Sequence, residues 1–168
     1  MVTSDGGFDC SADPEFQEIN SSKLKEAEYR AICNKLTLGG CGVLKLFAGC
    51  HESTLRILES AANTFSEVYL TKPSSSKAGN SELYLVMLKF IGTISPLENT
   101  SIFLQNAHKT IAFFSERQEN AIRNNLSFKH ICKADVVLLA ELQQEIDIST
   151  RNMLQKLPNI TLGWGLSH

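Results

Sequence analysis

Lys45 is the residue of this sequence most suggestive of chemistry, because it interrupts the apolar run 43–47 inside what should be a buried strand. Burying an ammonium group without a partner costs several kcal/mol, so Lys45 must reach the end of its strand or have an acidic partner. It is either a half-exposed, snorkelling lysine or one whose pKa is lowered by burial and tuned by its neighbours. The second kind of lysine is available as a base or as a cationic clamp.

Two carboxylates are placed to meet this lysine. Asp5 ends one predicted strand, and Glu82 begins another. Functional groups collect at the carboxyl ends of parallel strands, and a strand that runs the opposite way begins at that same edge. We therefore expect Asp5, Lys45 and Glu82 to converge at one edge of a sheet. Each alone would be a solvated charge, whereas three converging ionisable groups indicate a site.

The segment 72–81 forms a small basic, hydroxyl-rich loop beside the same edge. Hydroxyls, backbone N–H groups and two lysines suit contacts with phosphate, although a solvated loop has much the same composition. The candidate phosphate-contacting residues are Lys72, Ser75, Ser76, Lys77, Asn80 and Ser81.

Helices and strands alternate along the chain from Met1 to Lys72. Apolar residues at helical spacing, among them Phe16 and Ile19, predict one long helix or two short ones over 14–38, ended by a glycine pair. The apolar run 41–47 is typical of a strand covered on both faces, and Ser53 is placed to cap the next helix. The predicted strands are the residues before Asp5, 41–47, 68–70 and 83–90.

This order predicts an α/β fold with mostly parallel strands and right-handed crossovers. The last two strands are joined by a loop without a helix, so the final strand is expected to be antiparallel. Beyond Gly92 the spacing predicts two amphipathic helices, over Thr100–Leu126 and Asp135–Leu157. We therefore divide the chain into a sheet-forming part, 1–92, and a helical extension, 93–168.

Three stretches, taken together and in order, resemble the RrmJ/FtsJ-type family of S-adenosylmethionine-dependent RNA 2′-O-methyltransferases. They are Val2–Gly6, Gly39–Phe47 and Lys72–Tyr84. They contain the aspartate after a strand, the lysine within a strand and the Ser-Glu start of a further strand. The resemblance covers nearly the whole chain, strongly to Phe90 and more weakly beyond.

The resemblance implies the C-terminal half of a Rossmann-like methyltransferase sheet, with S-adenosylmethionine as cofactor and no metal. Asp5, Lys45 and Glu82 match the last three members of the family's Lys-Asp-Lys-Glu tetrad. Lys45 would then be the general base, or the cation that lowers the pKa of a ribose 2′-hydroxyl. Glu82 would orient Lys45, Asp5 would lie beside the methyl-sulfonium end of the cofactor, and the 72–81 loop would contact RNA.

Within this family, the chain is most similar to the branch that methylates the second transcribed nucleotide of capped mRNA. The runs 5–10 and 77–82 and the pair Phe113-Phe114 in the tail carry that similarity. Methylation of ribosomal or transfer RNA is an alternative, because the tetrad is shared. A non-catalytic fragment that binds RNA or a protein partner is another. Either branch of the family implies a protein of the nucleus, the cytoplasm or both.

Composition narrows the classes of protein to which this chain can belong. The 168 residues are 43% hydrophobic and 20% charged, so the chain can bury a core. The formal net charge of −2 excludes nucleic-acid binding driven by overall charge, but not a local basic patch. No uncharged stretch approaches the ~18 apolar residues that span a bilayer. The five cysteines form no C-x-x-C pair, so we expect packing roles in a reducing compartment.

The start of the sequence is unusual for this family. The first lysine of the tetrad has no counterpart in the sequence, and neither does the glycine-rich loop that holds the cofactor. We therefore expect the sequence to be a truncated gene model of a longer enzyme, and the isolated chain not to bind S-adenosylmethionine measurably.

Overall fold

A mixed five-stranded sheet organises the molecule and positions the candidate residues. The computed structural model describes residues 1–7, 16–47, 51–92, 101–131 and 133–141. The elements of these residues are β1 (Val2–Ser4), α1 (Gln17–Lys35), β2 (Gly42–Phe47), α2 (Glu52–Thr64), β3 (Phe65–Lys72), β4 (Glu82–Phe90), α3 (Ser101–Arg123) and β5 (Asp135–Glu141). None of the described helices combines the length and apolar character needed to cross a bilayer.

The strand order is β1-β2-β4-β3-β5. Strand β1 pairs in parallel with β2, β4 pairs antiparallel with both β2 and β3, and β5 pairs antiparallel with β3. The predicted α/β class and the antiparallel β4 are confirmed. The predicted majority of parallel strands is also found among the described strands, because β1, β2 and β3 all run in one direction, although β4 lies between β2 and β3. Those two strands run the same way but share no ladder.

The hydrophobic core lies on one face of the sheet. Leu44 and Leu46 of β2 stand opposite Leu85 and Leu83 of β4, and all four side chains are buried. Helices α1 and α2 add buried apolar side chains, such as Leu58, to the same cluster. Because side chains alternate across a strand, Lys45 points to the other face of β2.

Helix α1 is a single helix, and its buried face combines apolar residues of the predicted set, such as Ile32, with polar ones. Phe16 and Ile19 are about half exposed, whereas Ser21, Lys25 and Tyr29 are buried. These three residues recur every four positions and therefore lie on one face of the helix. The polar members of this face have partners in the structure, so their burial is compensated.

Helix α2 begins at Glu52, two residues earlier than it would with Ser53 as its cap. The N-cap is His51, whose Nδ1 accepts a hydrogen bond from the backbone N–H of Ser53 at 3.3 Å. The Ser53 hydroxyl lies 2.7 Å from the same nitrogen. Ser53 is therefore inside the first turn, and its predicted capping role is wrong.

Strand β5 replaces the beginning of the predicted helix over 135–157. Val137 and Leu139 pack against the hydrophobic core, while Val136 is 41% exposed. This alternation has the period of a strand, and pairing with β3 satisfies backbone groups that a helix would leave open at that sheet edge. The helix prediction is therefore wrong for 135–141; residues 142–157 lie outside the described residues. The division at residue 92 stays a prediction.

Helix α3 confirms the helix predicted over 100–126. It buries Ala107, Ile111 and Phe114. Beyond its end, Asn125 has a φ of 55°, and the N–H of Leu126 donates to the carbonyl of Ala121 at 2.7 Å. This left-handed residue ends the helix and turns the chain towards β5.

Candidate active site

Three ionisable side chains meet at one edge of the sheet, and we call them the Lys45 cluster: Asp5, Lys45 and Glu82. Lys45 Nζ lies 3.0 Å from Asp5 Oδ1 and 3.5 Å from Glu82 Oε2. The side chains of Lys45 and Glu82 are 19% and 23% exposed, and that of Asp5 is 55% exposed. The structure thus brings together the three residues that the sequence singled out, and a catalytic role for them stays a prediction.

Strand register explains this convergence. The parallel ladder aligns Thr3 with Val43, so two residues further Asp5 comes beside Lys45. The antiparallel ladder pairs Glu82 with Phe47, two residues beyond Lys45 and on the same face. Each neighbour of β2 therefore delivers one carboxylate to the same ammonium group.

The two carboxylates determine the charge of Lys45. Burial by itself lowers the pKa of an ammonium group, but the hydrogen bond with Asp5 and the charge of Glu82 outweigh it and hold the pKa of Lys45 above its ordinary value. Of the two alternatives for Lys45, the lysine with a lowered pKa is therefore not the one found here. Lys45 is a cation at neutral pH. This state fits the role of a cationic clamp better than that of a general base.

Tyr84 belongs to the same site, although the sequence analysis did not identify it. It stands directly opposite Lys45 on β4, and its hydroxyl donates to Glu82 Oε1 at 2.6 Å. Burial and the neighbouring Glu82 carboxylate raise the pKa of Tyr84, so the phenol stays neutral and remains a donor. Glu82 is thereby oriented with its other oxygen towards Lys45. The sequence signal that could have identified Tyr84 is its position two residues after Glu82.

Helix α1 holds the backbone on both sides of Asp5 through Glu28. Glu28 Oε1 accepts hydrogen bonds from Ser4 Oγ at 2.6 Å and from the Gly6 N–H at 2.7 Å. A Cβ at Gly6 would lie 2.3 Å from the same oxygen, so only glycine permits this approach. Burial raises the pKa of Glu28, but the hydrogen bonds from Lys25, Ser4 and Gly6 outweigh it and lower the pKa below its usual range.

Lys25 completes this support from the same helix. Its Nζ donates to Glu28 Oε2 at 2.8 Å and to the carbonyl of Gly6 at 2.5 Å, and its side chain is 4% exposed. The ammonium groups of Lys25 and Lys45 both lie over the ring of Phe47, 5.5 and 5.6 Å from its centroid. We call Lys25 and Glu28 the α1 anchor. In the sequence these two residues belong to a polar helix face, and no motif or spacing distinguished them as site residues.

Lys72, a residue of the candidate phosphate-contacting loop, binds groups of the protein itself. Its Nζ donates to the carbonyl and side-chain oxygens of Asn80 at 2.9 and 2.6 Å and to the carbonyl of Glu82 at 3.0 Å. Burial lowers the pKa of Lys72 to about 8, so the group is still mainly charged at neutral pH. With three acceptors around a buried ammonium group, Lys72 fixes the loop against β4 and has no N–H left for a phosphate.

The other loop residues divide into buried and exposed ones. Ser76 is buried, and its hydroxyl donates to Asn80 Oδ1 at 3.2 Å. Ser81 is half-buried and donates to Gln17 Oε1 at 3.4 Å. Ser75 and Lys77 are exposed, so they are the members of the predicted set that a ligand can reach.

The described cysteines and acidic residues show no metal-binding arrangement. Cys33 and Cys41 are free thiols, and burial raises the pKa of Cys33. No group of three or more His, Cys, Asp or Glu side chains comes together among the described residues. Cys10, Cys50 and Cys132 lie outside the described residues.

Comparisons with known proteins match the part of the chain that carries this site. The family model described as FtsJ-like methyltransferase matches residues 1–90. A cap-specific mRNA (nucleoside-2′-O-)-methyltransferase 2 of Danio rerio is 36% identical over 152 residues, which are 75% of this chain and 20% of that protein. The protein of the same name from Mus musculus is 39% identical over 99 residues, 58% of this chain and 13% of its own length.

A second kind of relative matches at similar identity. A cap-specific mRNA (nucleoside-2′-O-)-methyltransferase 1 of Trypanosoma brucei brucei is 38% identical over 93 residues, 55% of this chain and 25% of that protein. The chain therefore spans a quarter or less of the length of these curated relatives.

Glu28→Gln tests the α1 anchor through the pH dependence of stability. The pKa of Glu28 in the folded chain lies below its ordinary 4.5, so its contribution is present above that pH and is lost as the pH falls through the folded-state pKa. We expect the variant to lose about 2 kcal/mol of unfolding free energy at pH 7. The difference should shrink steadily below pH ~4.5.

Urea denaturation at pH 7 and at pH 3.5 measures both values. Glu116→Gln, an exposed position on α3, is the matched control and should change neither. An equal loss for Glu28→Gln at the two pH values would contradict the charged hydrogen bonds described here.

Proposed function

Because this chain belongs to the FtsJ-like methyltransferase family, whose model matches residues 1–90, we propose that it transfers a methyl group from S-adenosylmethionine to a ribose 2′-hydroxyl of capped mRNA. The observation that carries the proposal is the ammonium group of Lys45 between Asp5 and Glu82, inside the matched residues. This arrangement places a positive charge at an exposed edge of the sheet. A positive charge there can stabilise the negative charge that develops on an oxygen nucleophile.

S-adenosylmethionine would supply an electrophilic methyl group on a positively charged sulfur. Asp5 fits that end of the cofactor, since its carboxylate is half exposed at the end of β1 and can face a second cation besides Lys45. The backbone beside it offers no open cradle, because Glu28 fills the space at Gly6. Among the described residues we therefore assign Asp5 alone to the cofactor.

A ribose hydroxyl is a weak nucleophile at neutral pH, so the site must favour loss of its proton and fix the line of attack. We assign Lys45 the role of a cation that stabilises the negative charge developing on the 2′-oxygen, while the hydroxyl proton passes to solvent water. The raised pKa keeps Lys45 protonated for this task. Glu82, held by Tyr84, and Asp5, held between the two contacts of Glu28, would keep the ammonium group in place.

The names of the relatives support a proposal for the substrate and for the position of methylation. The Danio rerio protein, by its name specific for capped mRNA, aligns with three quarters of this chain. We infer the second transcribed nucleotide as the target and the nucleus or cytoplasm as the place of action. Relatives named methyltransferase 1 also align with the site-bearing part, so the position must be measured.

Lys45→Ala is expected to reduce methyl transfer to capped RNA by about a hundredfold or more, because the developing oxyanion loses its cationic partner. The assay uses the protein as its gene encodes it and follows labelled methyl groups. Lys23→Ala, at an exposed lysine of α1, is the matched control and should retain full transfer. Near-normal transfer by a folded Lys45→Ala protein would remove Lys45 from the mechanism.

The same assay identifies the substrate. Capped RNAs with and without a 2′-O-methyl group on the first nucleotide are compared with uncapped RNA, and nuclease digests are analysed by mass spectrometry. We expect the new methyl group on the second nucleotide of capped RNA. Equal methylation of uncapped RNA, or of ribosomal or transfer RNA, would overturn the cap assignment while leaving 2′-O-methylation in place.

Glu82→Gln is expected to lower the pKa of Lys45, because one of the two carboxylates that raise it loses its charge. Titration of the Lys45 side chain by NMR of ¹³C-labelled lysine measures this, with the signal assigned from Lys45→Ala. The loss of activity at high pH should move to lower pH in parallel. An unchanged Lys45 titration would contradict the coupling to Glu82, and faster transfer by Glu82→Gln at pH 8 would favour the base role instead.

A further inference from the structure

An open cavity of about 540 Å³ lies between α3 and the loop that leads to β5. It lies outside the Lys45 cluster, and most of its ionisable lining is cationic although the whole chain carries a formal charge of −2. The ionisable residues that line it are Lys72, Arg117, Lys129, His130, Lys133 and Asp135. The amide side chains of Gln118, Asn120 and Asn124 complete its polar wall.

The single acidic group of this lining is already paired. Arg117 Nε lies 2.6 Å from Asp135 Oδ2, so the carboxylate charge is largely balanced. Lys129 and Lys133 are exposed, and the structure shows no salt bridge from either of them within its described part. The cavity therefore presents positive charge and amide N–H groups to solvent, which suits a ligand with repeated anionic groups.

An aromatic ring stands beside this charge. Phe128 is 85% exposed, and Lys77 Nζ lies 5.9 Å from the centre of its ring. A large ring in that position costs hydrophobic free energy in the free protein. Exposed aromatic rings flanked by lysines are the stacking platforms on which proteins place single-stranded bases.

Backbone hydrogen bonds hold this ring and these lysines in one surface. The N–H of Ala78 donates to the carbonyl of Lys129 at 2.9 Å, and the N–H of Ile131 donates to the carbonyl of Ser76 at 3.2 Å. These bonds join the 72–81 loop to the segment 126–131. Gln118 of α3 donates to the carbonyl of Gly79 at 3.1 Å and ties the same unit to the helix.

The surface adjoins the Lys45 cluster. Lys72 lines the cavity and donates to the backbone carbonyl of Glu82, whose side chain binds Lys45. A linear polymer bound across these two hydrogen-bonded segments would therefore pass close to the edge of the sheet where the Lys45 cluster is exposed.

We propose that Lys77, Phe128, Lys129 and Lys133, with the cavity beside them, form a binding surface for single-stranded RNA, which we call the α3–β5 surface. A base stacks on Phe128, and phosphates bind Lys129 and Lys133. The inference rests on the proposed function, because it takes RNA as the substrate. An acidic peptide would use the same lysines but would gain nothing from a planar ring, and so the ring favours RNA.

The test measures binding of the full 168-residue chain to a labelled, uncapped single-stranded RNA of about 12 nucleotides by fluorescence anisotropy. The double variant Lys129→Gln/Lys133→Gln should bind RNA more weakly. The slope of the logarithm of its association constant against the logarithm of salt concentration should fall by about 0.7 per lost phosphate contact. Lys23→Gln is the matched control and should change neither quantity.

Variants of Phe128 separate stacking from apolar contact. Phe128→Leu should weaken binding about tenfold, whereas Phe128→Trp should retain it, since only the second keeps a ring on which a base can stack. Equal weakening by both variants would overturn the stacking role. An unchanged salt slope in the lysine variant, absence of RNA binding, or stronger competition by polyglutamate than by unlabelled RNA would overturn the surface itself.

These outcomes are independent of methyl transfer. A chain that binds RNA through this surface but shows no Lys45-dependent transfer would contradict the proposed function alone. Conversely, Lys45-dependent transfer together with normal RNA binding by the α3–β5 surface variants would contradict this inference alone.

Discussion

The ion pairs of Lys45 are the constraint on which the site depends. An ammonium group in the middle of a largely buried strand is stable only if opposite charges reach it from the flanking strands. Asp5 does so from the parallel neighbour and Glu82 from the antiparallel one. The insertion of β4 between β2 and β3 is therefore what makes the cluster possible, since a parallel neighbour in that position would begin at the opposite edge.

Each carboxylate of the cluster is in turn held by a second group. Tyr84 hydrogen-bonds Glu82, and Glu28 binds both residues that flank Asp5. Lys72 adds a third constraint by binding the backbone of Glu82 and Asn80. The geometry of the Lys45 cluster thus follows from a set of part-buried polar contacts, which is the arrangement that holds a charged group in one position.

Topology rules were sufficient to predict the convergence of Asp5, Lys45 and Glu82, because strand direction alone sends their positions to one edge. They could not identify Tyr84, which depends on the register of the β2/β4 ladder. They also missed Lys25 and Glu28, whose partners are backbone groups of a distant strand end. The error at 135–141 has a similar origin: the open edge of β3 favours a strand there, and that edge is a tertiary feature. Lys72 had the composition of a surface contact, and only the path of its loop showed that it is buried.

The position of β4 also sets the order in which the molecule can assemble. The loop 73–81 joins β3 and β4 directly, so this pair closes a short loop, whereas the β2/β4 ladder joins segments separated by the whole of α2 and β3. Closing the longer loop costs more chain entropy before any contact repays it. Chain entropy therefore favours formation of the hairpin of β3 and β4 before β2 docks onto it. In that order of events Lys45 and Glu82 meet only when β2 docks, so a partly folded chain carries these two charges apart.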